Sequence, residues 1–241
     1  MRANKVSAEG DGAMVTAPPD PDRPEAVDQA EPKPRLRGWL HAATVPLLTA
    51  GIIVLICLAP PGGPKISLAI YLVCAVLLFA NSATYHIGDW RPTVKAVLRR
   101  VDHSNIYLFV AGTYTPLTVM LLHGTPRIVL LSLIWGLAGA GVLFRVLWLT
   151  APRRLYSVMY VLMGWAAIWW LPDFWRDGSP AILILVLVGG VVYSLGAVVY
   201  SRKWPNPSPT WFGFHEIFHS CTVVAAFCHF TAVALAVRQL R

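Results

Sequence analysis

Seven apolar stretches set the limits on this chain, each roughly long enough to cross ~30 Å of hydrocarbon as a helix. By composition they span 40–59, 66–88, 104–123, 127–149, 154–171, 180–200 and 209–237. A backbone inside a bilayer has no water to bond, so its N–H and C=O groups must pair within the segment, which restricts such runs to membrane helices. The breaks carry turn and charge signals, among them PPGGPK at 60–65, GDWRPTVKAVLRR at 88–100, PDFWRDGS at 172–179 and RKWPNPSP at 202–209. The fifth run is the shortest. The expected fold class is all-α integral membrane, a seven-transmembrane helix bundle over 36–241. Residues 1–35, rich in Pro, Asp, Glu and Ala without apolar periodicity, are expected to be a disordered cytoplasmic tail. No apolar run precedes Trp39, so the first span is expected to serve as its own targeting signal.

Charge then orients the bundle. Charged residues make up 13% of the chain, against about a quarter in an ordinary soluble domain. The formal net charge of +8 lies in short clusters between apolar runs. Without a basic stripe, no nucleic-acid partner is expected. Lys and Arg number six in the N-terminal tail, four, three and two in the second, fourth and sixth loops, and five on the opposite side. The positive-inside rule puts the N-terminus in the cytoplasm and the C-terminus outside. That is opposite to a G-protein-coupled receptor, and the expected location is the plasma membrane. The four cysteines, Cys57, Cys74, Cys221 and Cys228, lack metal or redox spacing. Gly136, Gly139 and Gly141, and Gly189, Gly190 and Gly196, read as positions of close helix approach. Trp39, Trp90, Trp175, Trp204 and Trp211 suit the interfacial aromatic belt, and Pro116 reads as a kink.

Ionisable residues inside spans are costly and mark candidate sites. His86 and Ser82 lie one turn apart near the cytoplasmic end of the second span. Asp102 and His103 fall where the third span begins. The last span, with Pro209 expected in its first turn, carries His215 and His219 near its cytoplasmic end. Those two are four apart, about 6 Å along a helix and on one face. Residues from three distant segments thus reach one depth. Three imidazoles with an open fourth position suit a catalytic Zn2+. His86, His215 and His219 are the expected ligands.

The run FGFHEIFH also contains the His-Glu-x-x-His of zinc proteases. Glu216 and Asp102 are both candidate partners for the attacking water. Glu216 points about 100° away from the His215/His219 face, whereas Asp102 comes from another helix at the same depth and is favoured. Ser82 is expected to donate to the water or to a substrate carbonyl. No carboxylate follows His219, so the downstream acidic ligand of an intramembrane protease is excluded. His103 reads as a helix-start or interfacial residue, and His41, His123 and His229 as interfacial or packing residues.

The blocks NSATYH, RRVDHSNIYLFVAGTYTPL, YVLMGWAAI and FHEIFHSCTVVAAFCHF resemble the signature blocks of the bacterial hemolysin III proteins, relatives of the adiponectin and progestin receptor family and more distantly of the alkaline ceramidases. The resemblance covers roughly 36–238. It implies a seven-helix bundle with the N-terminus inside and a zinc held by His86, His215 and His219, with Asp102 and Ser82 beside it. It also implies hydrolysis of lipid amides of the ceramide type, with a membrane lipid as substrate or ligand. Two other functions remain open: a non-enzymatic sensor or regulator of lipid homeostasis with structural zinc, and a hemolysin-type pore. The pore ranks below the others because no span is strongly amphipathic.

Overall fold

A computed structural model describes residues 34–148 and 150–241. The expected disordered tail lies outside the described residues up to position 33. The regular elements described are all helical, apart from one isolated bridge between Ser208 and Phe212. In chain order they are α1 (Trp39–Leu58), α2 (Gly63–Ile87), α3 (Pro92–Leu121), α4 (Gly124–Leu147), α5 (Arg153–Gly164), a 3-10 turn (Ala166–Trp170), α6 (Leu171–Asp177), α7 (Pro180–Arg202) and α8 (Phe214–Gln239).

Six spans are long and apolar enough to cross a membrane, counting the broken segment Arg153–Asp177 as one. The remaining long helix, α3, has 30 residues but carries Asp102, Ser104, Asn105 and several threonines. It can be that polar because other helices enclose it: α3 packs against α2, α4, α5, α6 and α8. Sixteen of its residues are buried, more than on any other helix, and they occupy every face from Ser104 onward. Around it, α1 packs on both α2 and α8, and α7 lies along α8.

Three boundaries differ from the sequence expectation. Helix α3 begins at Pro92, so most of the stretch 88–100 is helical and Asp102 and His103 lie three turns inside rather than at a helix start. Pro at the first position supplies the initiation that the charge run hid. The fifth span extends to Asp177 because the chain breaks at Gly164, turns through Ala166–Trp170 and resumes as α6. Tyr114 Oη donates to the Gly164 carbonyl at 2.5 Å, satisfying an acceptor that the break frees. Helix α8 starts at Phe214, leaving Pro209 in the preceding loop. Pro116 sits within the continuous α3.

In a bilayer, helix association relies on close van der Waals packing rather than on water exclusion, so small residues matter where backbones meet. A Cβ at Gly141 would overlap the Tyr107 ring, and one at Gly196 would lie 2.7 Å from Cys221 Cβ. Gly136 and Gly139 do not fit the close-packing expectation, since an added Cβ there meets nothing within 4 Å. They face outward on the same helix. Gly141→Leu is therefore expected to lower Tm in detergent, at a cost of about 1–3 kcal/mol, while Gly136→Leu leaves it unchanged. Equal losses at both positions would remove the notch as an explanation.

Candidate metal centre

The site is assembled at one end of the bundle by local features of three helices. Helix α2 runs to Ile87 and ends against Gly38, which precedes α1 with φ of +86°. A Cβ there would lie 2.8 Å from Ile87 Cγ1 and 3.0 Å from His86 Cβ. Glycine is thus required both by the left-handed backbone and by the close approach to His86. The residues ahead of Gly38 are tied to the loop before α8: Arg35 N–H donates to Thr210 O at 3.0 Å and Leu36 N–H to Trp211 O at 3.3 Å. That connection brings Arg37 to Glu216.

Glu216 occupies the third position of α8, and its Oε2 accepts the Gly213 N–H at 2.8 Å, capping the helix start. Its Oε1 accepts from Arg37 Nε at 2.8 Å. Both oxygens are engaged and the side chain is 1% exposed. The carboxylate of the His-Glu-x-x-His run is therefore part of a helix cap and ion pair, not of the histidine cluster.

The three histidines converge. One ligand atom each from His86, His215 and His219 lies within 4.8 Å of the other two. His215 Nε2 and His86 Nε2 are 3.3 Å apart. Two nitrogens bound ~2.0–2.1 Å from a tetrahedral ion stand about 3.3–3.4 Å apart, so this pair fits such an ion without rearrangement. His86 and His219 are buried, and His215 is partly exposed. This triad can hold a metal. Asp102 Oδ2 lies 3.8 Å from His86 Nε2, beyond hydrogen-bond length, and Ser82 hydrogen-bonds the Asp102 side chain. The structure thus brings together all five residues singled out from the sequence and turns Ser82 toward the carboxylate.

His41, expected as an interfacial or packing residue, packs directly against the histidine cluster. Its ring stacks on His219 with centroids 3.9 Å apart and planes 7° from parallel, and it meets Phe79 edge-on at 5.0 Å. Both of its nitrogens are buried without a partner. The charge count that placed the other histidines also places the start of α1 at this end, so His41 was within reach of the same argument. Tyr200 was missed as well. Its ring lies 5.5 Å from His215 and 4.9 Å from Phe218, and no sequence signal separates it from other aromatic residues of the span. His103 lies mid-helix, with Nδ1 2.7 Å from Arg99 O. His123 is exposed ahead of α4. His229 fills the notch at Gly189, its Nε2 3.4 Å from Val186 O, in keeping with a packing role.

An apolar cavity lies between α3, the broken fifth span, α7 and α8. Thr222, one turn beyond His219, lines it near the triad, and Tyr114, Trp165, Phe174, Val186 and His229 line it further along.

Glu216→Ala is expected to cost about 2 kcal/mol of stability, through the lost cap and the unpaired Arg37, while metal content by mass spectrometry stays at the wild-type level. Loss of metal with unchanged Tm would put Glu216 in the ligand set instead.

The family model described as Haemolysin-III related matches residues 29–230. The hemolysin-3 homolog of Bacillus subtilis (strain 168) is 32% identical over 178 residues, covering 72% of this chain and 83% of that protein. Hemolysin-3 of Bacillus cereus is 31% identical over 175 residues, 71% of this chain and 80% of its own length. The human monocyte to macrophage differentiation factor is 24% identical over 209 residues, 81% of this chain and 80% of its own. With the family match running from ahead of α1 well into α8 and taking in every histidine of the cluster, this multi-span membrane protein belongs to the haemolysin-III related family.

Proposed function

We propose that this chain is a zinc-dependent hydrolase of membrane lipids, cleaving a ceramide-like amide or a related acyl bond near the cytoplasmic leaflet. The observation that carries the reading is the meeting of His86, His215 and His219 with buried Asp102 and Ser82 at one end of the bundle. Counting the enclosed α3 with the six apolar spans gives seven crossings. The excess of Lys and Arg on the N-terminal side then puts the N-terminus and the site at the cytoplasmic face, and the C-terminus outside.

His86, His215 and His219 would hold the zinc, which when bound would supply a Lewis acid for the carbonyl and lower the pKa of its water toward neutral. The chain's own groups do the rest. Asp102, buried and close to the triad without sharing a hydrogen bond with His86 Nε2, takes the proton of the attacking water and passes it to the leaving amine. Ser82 fixes the orientation of that carboxylate by its hydrogen bond. The partly exposed His215 lies on the side open to water. The apolar cavity that begins at Thr222 accepts an acyl chain, placing its carbonyl toward the triad.

Detergent-purified wild type is expected to carry near one zinc per chain, lost in His215→Ala and kept in Asp102→Ala. Asp102→Ala should lower fatty-acid release by about 10²–10⁴-fold. Zinc retained in every form, with no fatty acid released by wild type from ceramides, other acyl-amides or phospholipids, would leave a structural metal in a lipid-homeostasis sensor. No zinc in supplemented wild type would end both readings.

A further inference from the structure

The buried face of α4 reads Leu130, Ile134, Ala138, Gly141, Arg145. Four apolar or small residues at helical spacing are followed, where a fifth is due, by an arginine. Arg145 does not lean outward to the membrane surface as a long basic side chain at a helix end usually does. It is 1% exposed, and neither Nε nor Nη1 has a hydrogen-bond partner. Among the described residues it forms no ion pair. It lies over the Tyr156 ring, with the guanidinium carbon 4.5 Å from the ring centroid.

Among the described residues, the groups nearest Arg145 supply it with no counter-charge. The ionic groups around the neighbouring His103 are Arg145, Arg99 and Arg153, all cations. The Arg153 guanidinium lies 4.8 Å over the Tyr200 ring. The hydroxyls of Tyr156 and Tyr200 approach to 3.5 Å between the two arginines' rings. Of the nearby carboxylates, Glu216 is committed to Arg37 and Gly213, and Asp102 lies by His86 and Ser82. A guanidinium taken out of water without an anion is strongly unfavourable, and a ring face offsets only part of that loss. Its planar fork matches the oxygens of a phosphate.

From this geometry we infer that Arg145, seated on the Tyr156 ring, forms a binding site for the phosphate of a membrane lipid headgroup beside the histidine triad. A lipid is favoured over a free anion by the position of the site. The residues flanking Arg145 on the outer face of α4 are the exposed Leu143, Val146 and Leu147, which face acyl chains. Helix α4 packs along α3 but only lightly against α5, the helix that carries Tyr156, so a headgroup can enter from the bilayer between them. Tyr200 meets His215 at 5.5 Å and Tyr156 at 6.4 Å, so two rings separate Arg145 from the triad. Binding at Arg145 is independent of turnover. Only the further step, that the bound phospholipid is the substrate, rests on the hydrolase reading.

The test uses the full-length protein in neutral detergent, read by thermal shift and by native mass spectrometry of retained lipid. Phosphatidic acid and phosphatidylglycerol should raise Tm and remain bound more than diacylglycerol, which lacks the phosphate. Arg145→Met, which keeps the side-chain bulk, should keep the wild-type zinc content and weaken phospholipid retention by about tenfold or more. Arg145→Lys, which keeps the charge but not the fork, should restore part of it. Should the Met variant fail to fold, the Lys variant and the diacylglycerol comparison still decide the matter. Equal retention of diacylglycerol, wild-type retention in both variants, or the full Tm shift with inorganic phosphate alone would each overturn the inference. An inactive protein that still discriminates among these lipids would sink the hydrolase reading and leave the site intact.

Discussion

A helix that carries a carboxylate, an asparagine and several hydroxyls among apolar membrane spans can exist only if other helices take over the role of solvent. Helix α3 is that helix, and the arrangement of the bundle follows from its needs. Asn105 Nδ2 donates to Leu77 O of α2 at 2.8 Å. Thr113 and Thr115 turn their hydroxyls back to the carbonyls of Phe109 and Ala111, and Thr115 Oγ1 also receives the indole of Trp135 from α4 at 3.1 Å. The two bonds between helices, from Asn105 and from Trp135, hold α2, α3 and α4 together where hydrophobic exclusion contributes little. Enclosure is what keeps Asp102 dry and close to the imidazoles of two other helices. A more apolar α3 would need less enclosure and would bring no carboxylate to the site.

Much of this was legible in the sequence because bilayer crossings convert a one-dimensional count into a depth. Once Lys and Arg had assigned a side to each loop, His86, Asp102, His215 and His219 fell at one level, and the structure brings them together. The same rule covered His41, two residues inside α1, but a lone histidine without a partner at helical spacing carries no visible pairing. Its stacking on His219 depends on the azimuth of α1, which depth does not report. Helix starts were read less well. The stretch ahead of Asp102 reads as a loop because its Arg and Lys take it out of an apolar span, although both residues favour helix, and Pro209 reads as a first turn although the cap that starts α8 is Gly213 with Glu216.

Glu216 shows why a motif needs its surroundings. In the one-dimensional pattern it is the residue between two ligands. In the bundle it closes the first turn of α8 and anchors the segment before α1 through Arg37. The same atoms that would serve as a base in an open cleft here fix where α8 begins, and so at which height its two histidines stand. Arg145 is the opposite case. No motif contains it, and in sequence it counts as one more positive-inside charge. Only the buried stripe on which it sits distinguishes it from Arg153 and Arg154.

The pairing of α7 with α8 has a mechanical consequence. The His229 ring occupies the space that a side chain at Gly189 would fill, and Cys221 does the same at Gly196, so two notches, two helical turns apart, are each filled from the neighbouring helix. Such a pair can rock but cannot slide. A bilayer that thickens or thins is met by tilt of the two helices as one unit, and the height of His215 against Tyr200 stays constant while the membrane around it changes.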